Sequence, residues 1–229
     1  MTDIQPGLMF VVSGPSGAGK STVLARILGA LGDLHFSISA TTREPRSGEV
    51  DGTDYYFVSR ERFEDMIRCD DLLEWAQVHG NYYGTPAEFV RDQLRIGRDV
   101  VLDLDVQGAR KVRERFPKAI FVFLAPPSME ELSRRLHGRH TETEERIQRR
   151  LSNARTELAA IHEYDYLVVN ETVAGAALRL QSIIEAERTR VHRVLWRWPQ
   201  LEEAARSADP PEPVLETVSG GDPCDYSSG

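Results

Sequence analysis

Val11-Val12-Ser13-Gly14-Pro15-Ser16-Gly17-Ala18-Gly19-Lys20-Ser21-Thr22 is the stretch that decides the fold. It contains G-x-x-x-x-G-K-S directly after an apolar, strand-like run at residues 8–13 and before a helical pattern at 22–31, which is the context a P-loop requires. Glycines 14, 17 and 19 let the backbone turn with its N–H groups pointing inward, where they and the positive end of the next helix can hold phosphate. The candidate nucleotide cradle is therefore Gly14, Pro15, Ser16, Gly17, Ala18, Gly19, Lys20, Ser21 and Thr22. In it, Lys20 would reach the β- and γ-phosphates and the Ser21 hydroxyl would help hold Mg²⁺. A P-loop by itself leaves GTPases, ATPase motors and small-molecule kinases open, because the fold hosts many functions.

Outward from this stretch, apolar runs recur at 100–104, 119–124 and 166–169 with patterned helical segments between them, an alternation that implies a parallel sheet flanked by helices. Thr85 with Glu88, Ser128 with Glu131 and Thr141 with Glu144 match the capping box, and Pro86 suits a first helical position. Residues 37–83 break the pattern with short β-prone pieces at 55–58 and 73–78 and a Gly80-Asn81 turn, the mark of an inserted β-rich lobe. From about residue 199 periodicity is lost, and 208–229, full of Pro, Gly, Ser, Asp and Glu, reads as a disordered tail. With 229 residues, 41% hydrophobic and 28% charged, the chain has the composition of one compact α/β domain. Nothing approaches 18 consecutive apolar residues, so neither a signal peptide nor a membrane span is expected. Cys69 and Cys224, far apart, build neither a disulfide framework nor a four-ligand zinc site. A reducing, cytoplasmic setting is the expectation. The net charge of −8 argues against broad nucleic-acid binding but not against a small anionic substrate.

Three further groups of residues carry chemistry. Arg43 and Arg46 stand three residues apart near the pair Tyr55-Tyr56; guanidinium groups with a tyrosine hydroxyl make a second anion site, although the same residues alone also fit a solvated basic loop. Asp103 and Asp105 follow the strand-like 100–103, at the end of a parallel strand where such sheets bind ligands, and Asp103 is the candidate to orient the water shell of Mg²⁺. Residues 133–151 concentrate arginines on either side of a Gly-containing turn, which alone reads as a charged, exposed helix hairpin. His162, Trp196 and Trp198 are expected as packing residues.

Taken together, S-x-T-T-R-x-P-R-x-G-E-x-x-G-x-D-Y-x-F at 39–57, Glu74-Trp75-Ala76, Gly80-Asn81-Tyr82-Tyr83-Gly84-Thr85 and Asp103-Leu104-Asp105-Val106-Gln107-Gly108 resemble the guanylate kinase family in order and spacing, over about 8–187. The resemblance implies an α/β P-loop three-layer fold with a parallel sheet core, an inserted β-rich GMP-binding lobe and a small helical lid. One domain would cover 1–207, with core segments at about 8–36, 86–133 and 151–198, the lobe at 37–85 and the lid at 134–150. The implied activity is ATP-dependent phosphorylation of GMP, and of dGMP, to the diphosphate with Mg²⁺, for purine nucleotide metabolism and GMP recycling. Its partners are the small molecules ATP and GMP, with no nucleic acid or membrane, and with monomer and homo-oligomer both open.

Carried over by position, Arg43, Arg46, Tyr55 and Tyr83 would hold the GMP phosphate, with Glu49 also at that site, while Ser39, Glu74, Thr85 and Asp105 would meet the guanine. That division makes chemical sense: guanine offers N1–H and N2–H₂ donors beside an O6 acceptor, so a carboxylate favours it and adenine leaves buried groups unpaired. The lid pattern L-x-x-R-x-x-x-R-G-T-E-T-E-E-x-I-x-x-R-L makes Arg135, Arg139 and Arg150 phosphate-facing arginines that join Lys20 and Arg43 as the catalytic set, and Asn170 matches a position near the adenine. His140 departs from the family's usual glycine, which puts the lid's geometry in question. GMP phosphate is already a competent nucleophile, so no general base is expected. The rival readings are a related domain that binds phosphorylated peptides without catalysis, and a kinase for another phosphorylated sugar or nucleotide.

Overall fold

The computed structural model describes residues 5–78, 80–138 and 143–207. Arg139, His140, the capping threonine Thr141 and the expected tail 208–229 lie outside the described residues. The chain divides into two compact units at Arg188.

In the first unit, β1 (Met9–Ser13) leads through the Gly-rich loop into α1 (Lys20–Ala30), followed by β2 (Leu34–Phe36). The inserted segment holds β3 (Ala40–Thr41), β4 (Tyr56–Phe57), α2 (Arg60–Arg68), β5 (Leu72–Val78) and β6 (Asn81–Pro86). The chain then returns with α3 (Ala87–Arg95), β7 (Asp99–Asp103), α4 (Val106–Arg115), β8 (Ile120–Ala125), α5 (Met129–His137), α6 (Glu144–Leu158), β9 (Tyr166–Val169) and α7 (Val173–Arg188).

The main sheet has the order β2-β7-β1-β8-β9, with every pairing parallel. Parallel strands are covered on both faces, so they read as continuous apolar runs, and every residue of β1 and β8 is buried. Side chains alternate between faces with period two. Phe10, Val12, Val122 and Leu124 meet Val23, Leu24 and Ile27 of α1 and Ala177, Leu180 and Ile184 of α7. Met9, Val11, Leu102 and Phe121 meet Val90 of α3 and Ala109 and Val112 of α4. The outcome is three layers, as the alternating pattern predicts.

The insertion forms its own sheet in the order β4-β3-β6-β5, mostly antiparallel, with Phe63 and Met66 of α2 closing a small core over Ala40 and Leu72. Helices α5 and α6 share a separate cluster of Leu132, Leu136, Ile147, Leu151 and Ala154.

Helix starts follow the capping chemistry where the cap residue is free to serve. The Ser128 side chain accepts the Glu131 N–H at the start of α5, and Asp105 accepts the Gly108 N–H at the start of α4. Thr85 does not cap: it lies in β6 and its hydroxyl donates to Glu74 at 2.8 Å, while α3 starts at Ala87 after Pro86. A buried carboxylate is the stronger acceptor for that hydroxyl. At the far end of the sheet, Asp99 is buried and accepts both the Leu8 N–H (2.6 Å) and Arg188 Nε (2.7 Å), and Arg188 also reaches Asp33.

The second unit has α8 (Val191–Val194), a 3-10 turn (Leu195–Arg197) and α9 (Pro199–Ser207). Periodic structure thus continues past residue 199. His162 and Trp198 are exposed, so neither packs as expected. Among the described residues, no helix is long and apolar enough to cross a membrane.

Candidate active site

At the carboxyl ends of β1 and β7, facing the inserted lobe, lies a cleft of ≈ 680 Å³. One wall is the loop between β1 and α1. Gly14 opens it with φ +143°, and a Cβ there would stand 2.1 Å from the Leu124 carbonyl oxygen of β8, so both the turn and the strand beside it exclude any side chain. Lys20 Nζ donates to the Gly14 carbonyl at 2.8 Å, closing the loop on itself, and stands 3.9 Å from Asp103 Oδ1. Gly14, Pro15, Ser16, Gly17, Gly19, Lys20 and Ser21 line the cleft, whereas Ala18 is fully buried and Thr22, the third residue of α1, is exposed and does not line it.

Asp103 ends β7, and burial pushes its carboxyl up while Lys20 opposes the change. Ser21 and Asp103 both line the cleft beside the loop. Two hard oxygen donors next to a phosphate cradle fit Mg²⁺, which is held by one or two protein groups and keeps several waters. Among the described residues, no cluster of three or more acidic, His or Cys side chains could hold a metal.

The lobe supplies the opposite wall through Ser39, Tyr55, Glu74 and Tyr83. Glu74 on β5 is buried, takes the Thr85 hydroxyl, and its carboxyl is pushed up to about 7, chiefly by burial and then by the nearby Asp105 charge, with Thr85 opposing. Asp105 lines the same pocket while capping α4. The closeness of β5 to α4 depends on Gly108, where a Cβ would stand 3.0 Å from Glu74 Oε2. Ser39, Glu74 and Asp105 thus line one cleft, and Thr85 joins them through its hydrogen bond to Glu74.

Arg43 is gripped from two sides. Its Nη1 and Nη2 each donate to Glu49 at 2.9 Å, and the guanidinium lies 5.5 Å from the centre of the Tyr55 ring. Glu49 also accepts the Arg46 N–H at 2.7 Å, and its carboxyl is lowered by the Arg43 hydrogen bonds first and then by that N–H. Glu49 thus holds Arg43 and fixes the turn that carries Arg46. The Arg46 side chain is exposed, and neither arginine lines the cleft.

The arginines of the α5–α6 pair are placed unequally. Arg150 lines the cleft and its Nη2 donates to the Ser16 hydroxyl at 2.6 Å. Arg135 is turned to the back of the loop, where it donates to the Asn170 carbonyl at 2.8 Å and to Glu131 at 2.7 Å. Asn170 is buried, its Nδ2 donates to the Ala18 carbonyl at 2.7 Å, and its Oδ1 has no partner among the described residues. Arg139 lies outside the described residues.

Thr53, Asp54 and Glu157 also line the cleft, and none was selected from sequence. For Glu157 the signal was present but faint: it follows Arg150 by seven residues, two helical turns along the same face.

A model of the guanylate kinase family matches residues 7–187. The guanylate kinase of Desulfitobacterium hafniense is 53% identical over 187 residues, 82% of this chain and 94% of that one. That of Halalkalibacterium halodurans is 48% identical over 199 residues, 87% of this chain and 98% of that one. Among solved structures, the crystal structure of guanylate kinase from Anaplasma phagocytophilum superposes with a TM-score of 0.71 at 35% identity, covering 90% of this chain and 98% of that chain.

Proposed function

The chain belongs to the guanylate kinase family, and from that premise we propose that it transfers the γ-phosphoryl group of ATP to GMP, and to dGMP, by in-line displacement with Mg²⁺, serving purine nucleotide metabolism and GMP recycling in the cytoplasm. The single observation that carries this reading is one cleft shared by a P-loop and a buried carboxylate–hydroxyl pair, Glu74 with Thr85.

ATP is held by the loop from Gly14 to Thr22, with Lys20 on the β- and γ-phosphates and Asn170 toward the adenine. Supporting this, Lys20 is already drawn over the loop by the Gly14 carbonyl, so its ammonium is fixed before nucleotide arrives. Bound with ATP, Mg²⁺ supplies charge neutralisation between the phosphates, and Ser21 and Asp103, the latter through water, are the residues that would hold it.

GMP is held at its phosphate by Arg43, Arg46, Tyr55 and Tyr83, with Glu49 positioning the arginines. At its base, ionised Glu74 accepts from N1–H and N2–H₂, Asp105 adds an acceptor, and the hydroxyls of Ser39 and Thr85 donate toward O6, that of Thr85 by turning away from Glu74. Arg135, Arg139 and Arg150 would close over the transferring group. Because Arg135 is engaged with carbonyls and Arg43 and Arg46 lie off the cleft wall, a productive complex requires the lobe and the α5–α6 pair to move inward, excluding bulk water as they do so. Positioning and charge stabilisation then carry the reaction.

A coupled assay of ADP release with ATP and Mg²⁺, comparing GMP with AMP, CMP and UMP, tests the reading. Turnover with GMP alone supports it. A folded sample inactive with every nucleotide would sink it in favour of phosphopeptide binding, and preference for another acceptor would reassign Glu74 and Asp105.

A further inference from the structure

Asn170, the residue that follows β9, is engaged at every polar group but one. Its backbone N–H donates to the Ala125 carbonyl at 2.8 Å, its own carbonyl takes Arg135 Nη2 at 2.8 Å, and its side-chain Nδ2 donates to the Ala18 carbonyl at 2.7 Å. Oδ1 has no partner among the described residues, and the residue is 2% exposed. A buried amide oxygen without a partner costs stability, so what Nδ2 does there has to offset it. Turning the amide over would set Oδ1 against the Ala18 carbonyl, acceptor against acceptor, and the bond to Ala18 therefore fixes which way the amide lies.

That bond acts on the phosphate loop just before Lys20. Ala18 is fully buried, its N–H is spent inside the loop on the Pro15 carbonyl at 3.0 Å, and the next residue, Gly19, has φ +93°. A Cβ on Gly19 would stand 2.5 Å from Asn170 Nδ2, so the amide lies directly against the peptide that joins Ala18 to Gly19. In a trans peptide the C=O and the N–H point in opposite directions. A carbonyl drawn back onto Asn170 thus turns the Gly19 N–H away from Asn170, and Gly19 lines the cleft. Helix α1 begins at the following residue, Lys20, so the same peptide sets where the helix starts. Arg135 holds the backbone of Asn170, and its Nη1 reaches the Ala18 carbonyl only at 3.5 Å. It can swing toward the cleft while the amide keeps its grip on the loop.

We propose that Asn170 is a positioning residue of the phosphate loop: its amide holds the Ala18 carbonyl at the back of the loop and so aims the Gly19 N–H at the phosphates of ATP. The proposal rests on the reading of the loop as the ATP site, and it gives Asn170 a task separate from any contact with adenine. A base contact would favour ATP alone, whereas a loop held in shape serves every polyphosphate that enters it.

The test is titration of the parent, Asn170→Ala and Asn170→Asp with magnesium ATP and with magnesium tripolyphosphate, which has no base, together with the unfolding temperature of each. Asn170→Ala leaves the buried Ala18 carbonyl with only the long Arg135 contact and should weaken both ligands by the same factor, about tenfold. Asn170→Asp keeps the shape, carries the test should the alanine variant not fold, and has a donor only while its acid is protonated. Its affinity for tripolyphosphate, relative to the parent at each pH, should therefore fall as the pH rises through the titration of that acid. A loss confined to ATP means that Asn170 reads the adenine, and a lower unfolding temperature with both affinities unchanged means that it only ties β9 to the loop. Either result overturns the proposal, as does an aspartate variant whose relative affinity is flat from about pH 5 to pH 9. A parent that binds neither ligand refutes the ATP site, and the proposed function and this proposal fall with it; a parent that binds both leaves the function standing whatever the variants show.

Discussion

Glu74 is stabilised in one protonation state, while the proposed guanine contacts call for the other. In the empty protein its carboxyl sits at about 7 against an ordinary 4.5. Its folded value is the higher one, so its contribution to stability is full below pH 4.5 and is lost as the pH rises through about 7. The difference is worth roughly 3 kcal/mol at 1.36 kcal/mol per pKa unit. Glu74→Gln removes that cost and should raise the unfolding temperature at pH 8 while changing it little at pH 4.5. It should also weaken GMP by ~10²-fold or more, since an amide cannot accept from both guanine donors. On the proposed guanine contacts GMP would take the ionised form, so titrations should show tightening between pH 6 and 8 in the parent and a weaker trend in the variant. Residue types brought only the paired arginines into view; the acid and the hydroxyls were picked out through the family resemblance. What was not legible is how each is engaged. A capping pattern on Thr85 cannot reveal that Glu74 lies across the strand pair to claim its hydroxyl, and no spacing rule shows Arg135 spent on the Asn170 carbonyl.

At the scale of elements, α4 is set by its N-terminus. Asp105 caps it, and Gly108 one turn later gives the room in which Glu74 Oε2 lies. Alanine within a helix ordinarily stabilises by roughly 0.5–1 kcal/mol relative to glycine. Here its Cβ would stand 3.0 Å from the carboxylate. Gly108→Ala should therefore raise KM for GMP several-fold and leave KM for ATP unchanged, which parallel titration of the two substrates will check; equal effects on both would contradict the geometry. Elements with strong apolar periodicity, the strands of the main sheet above all, were legible because burial on both faces writes itself into composition. α9 was not, since Pro199 reads as a breaker although it stands at the first helical position, where its missing N–H costs nothing.

Across the first unit as a whole, the parallel sheet separates two tasks. Ligand-facing groups gather at the carboxyl ends of β1 and β7, and the opposite end is closed by Asp99, which joins the start of β1 to the end of α7 through Leu8 and Arg188. Asp99→Ala leaves a buried N–H and a guanidinium short of their partner, so it should cost about 3 kcal/mol or more. Denaturant unfolding will measure that loss, while kcat and both KM values below the transition should match the parent; a change in KM would mean that the two ends are coupled. A different kind of consequence follows from the Leu124 carbonyl lying against Gly14. In a library where every codon is randomised and survivors are sequenced, position 14 should return a single letter. Gly29 and Gly32, which have open space around them, should return many. The strand beside the loop thus acts as a proofreader of heredity at that codon, enforcing one residue by geometry before any chemistry is sampled.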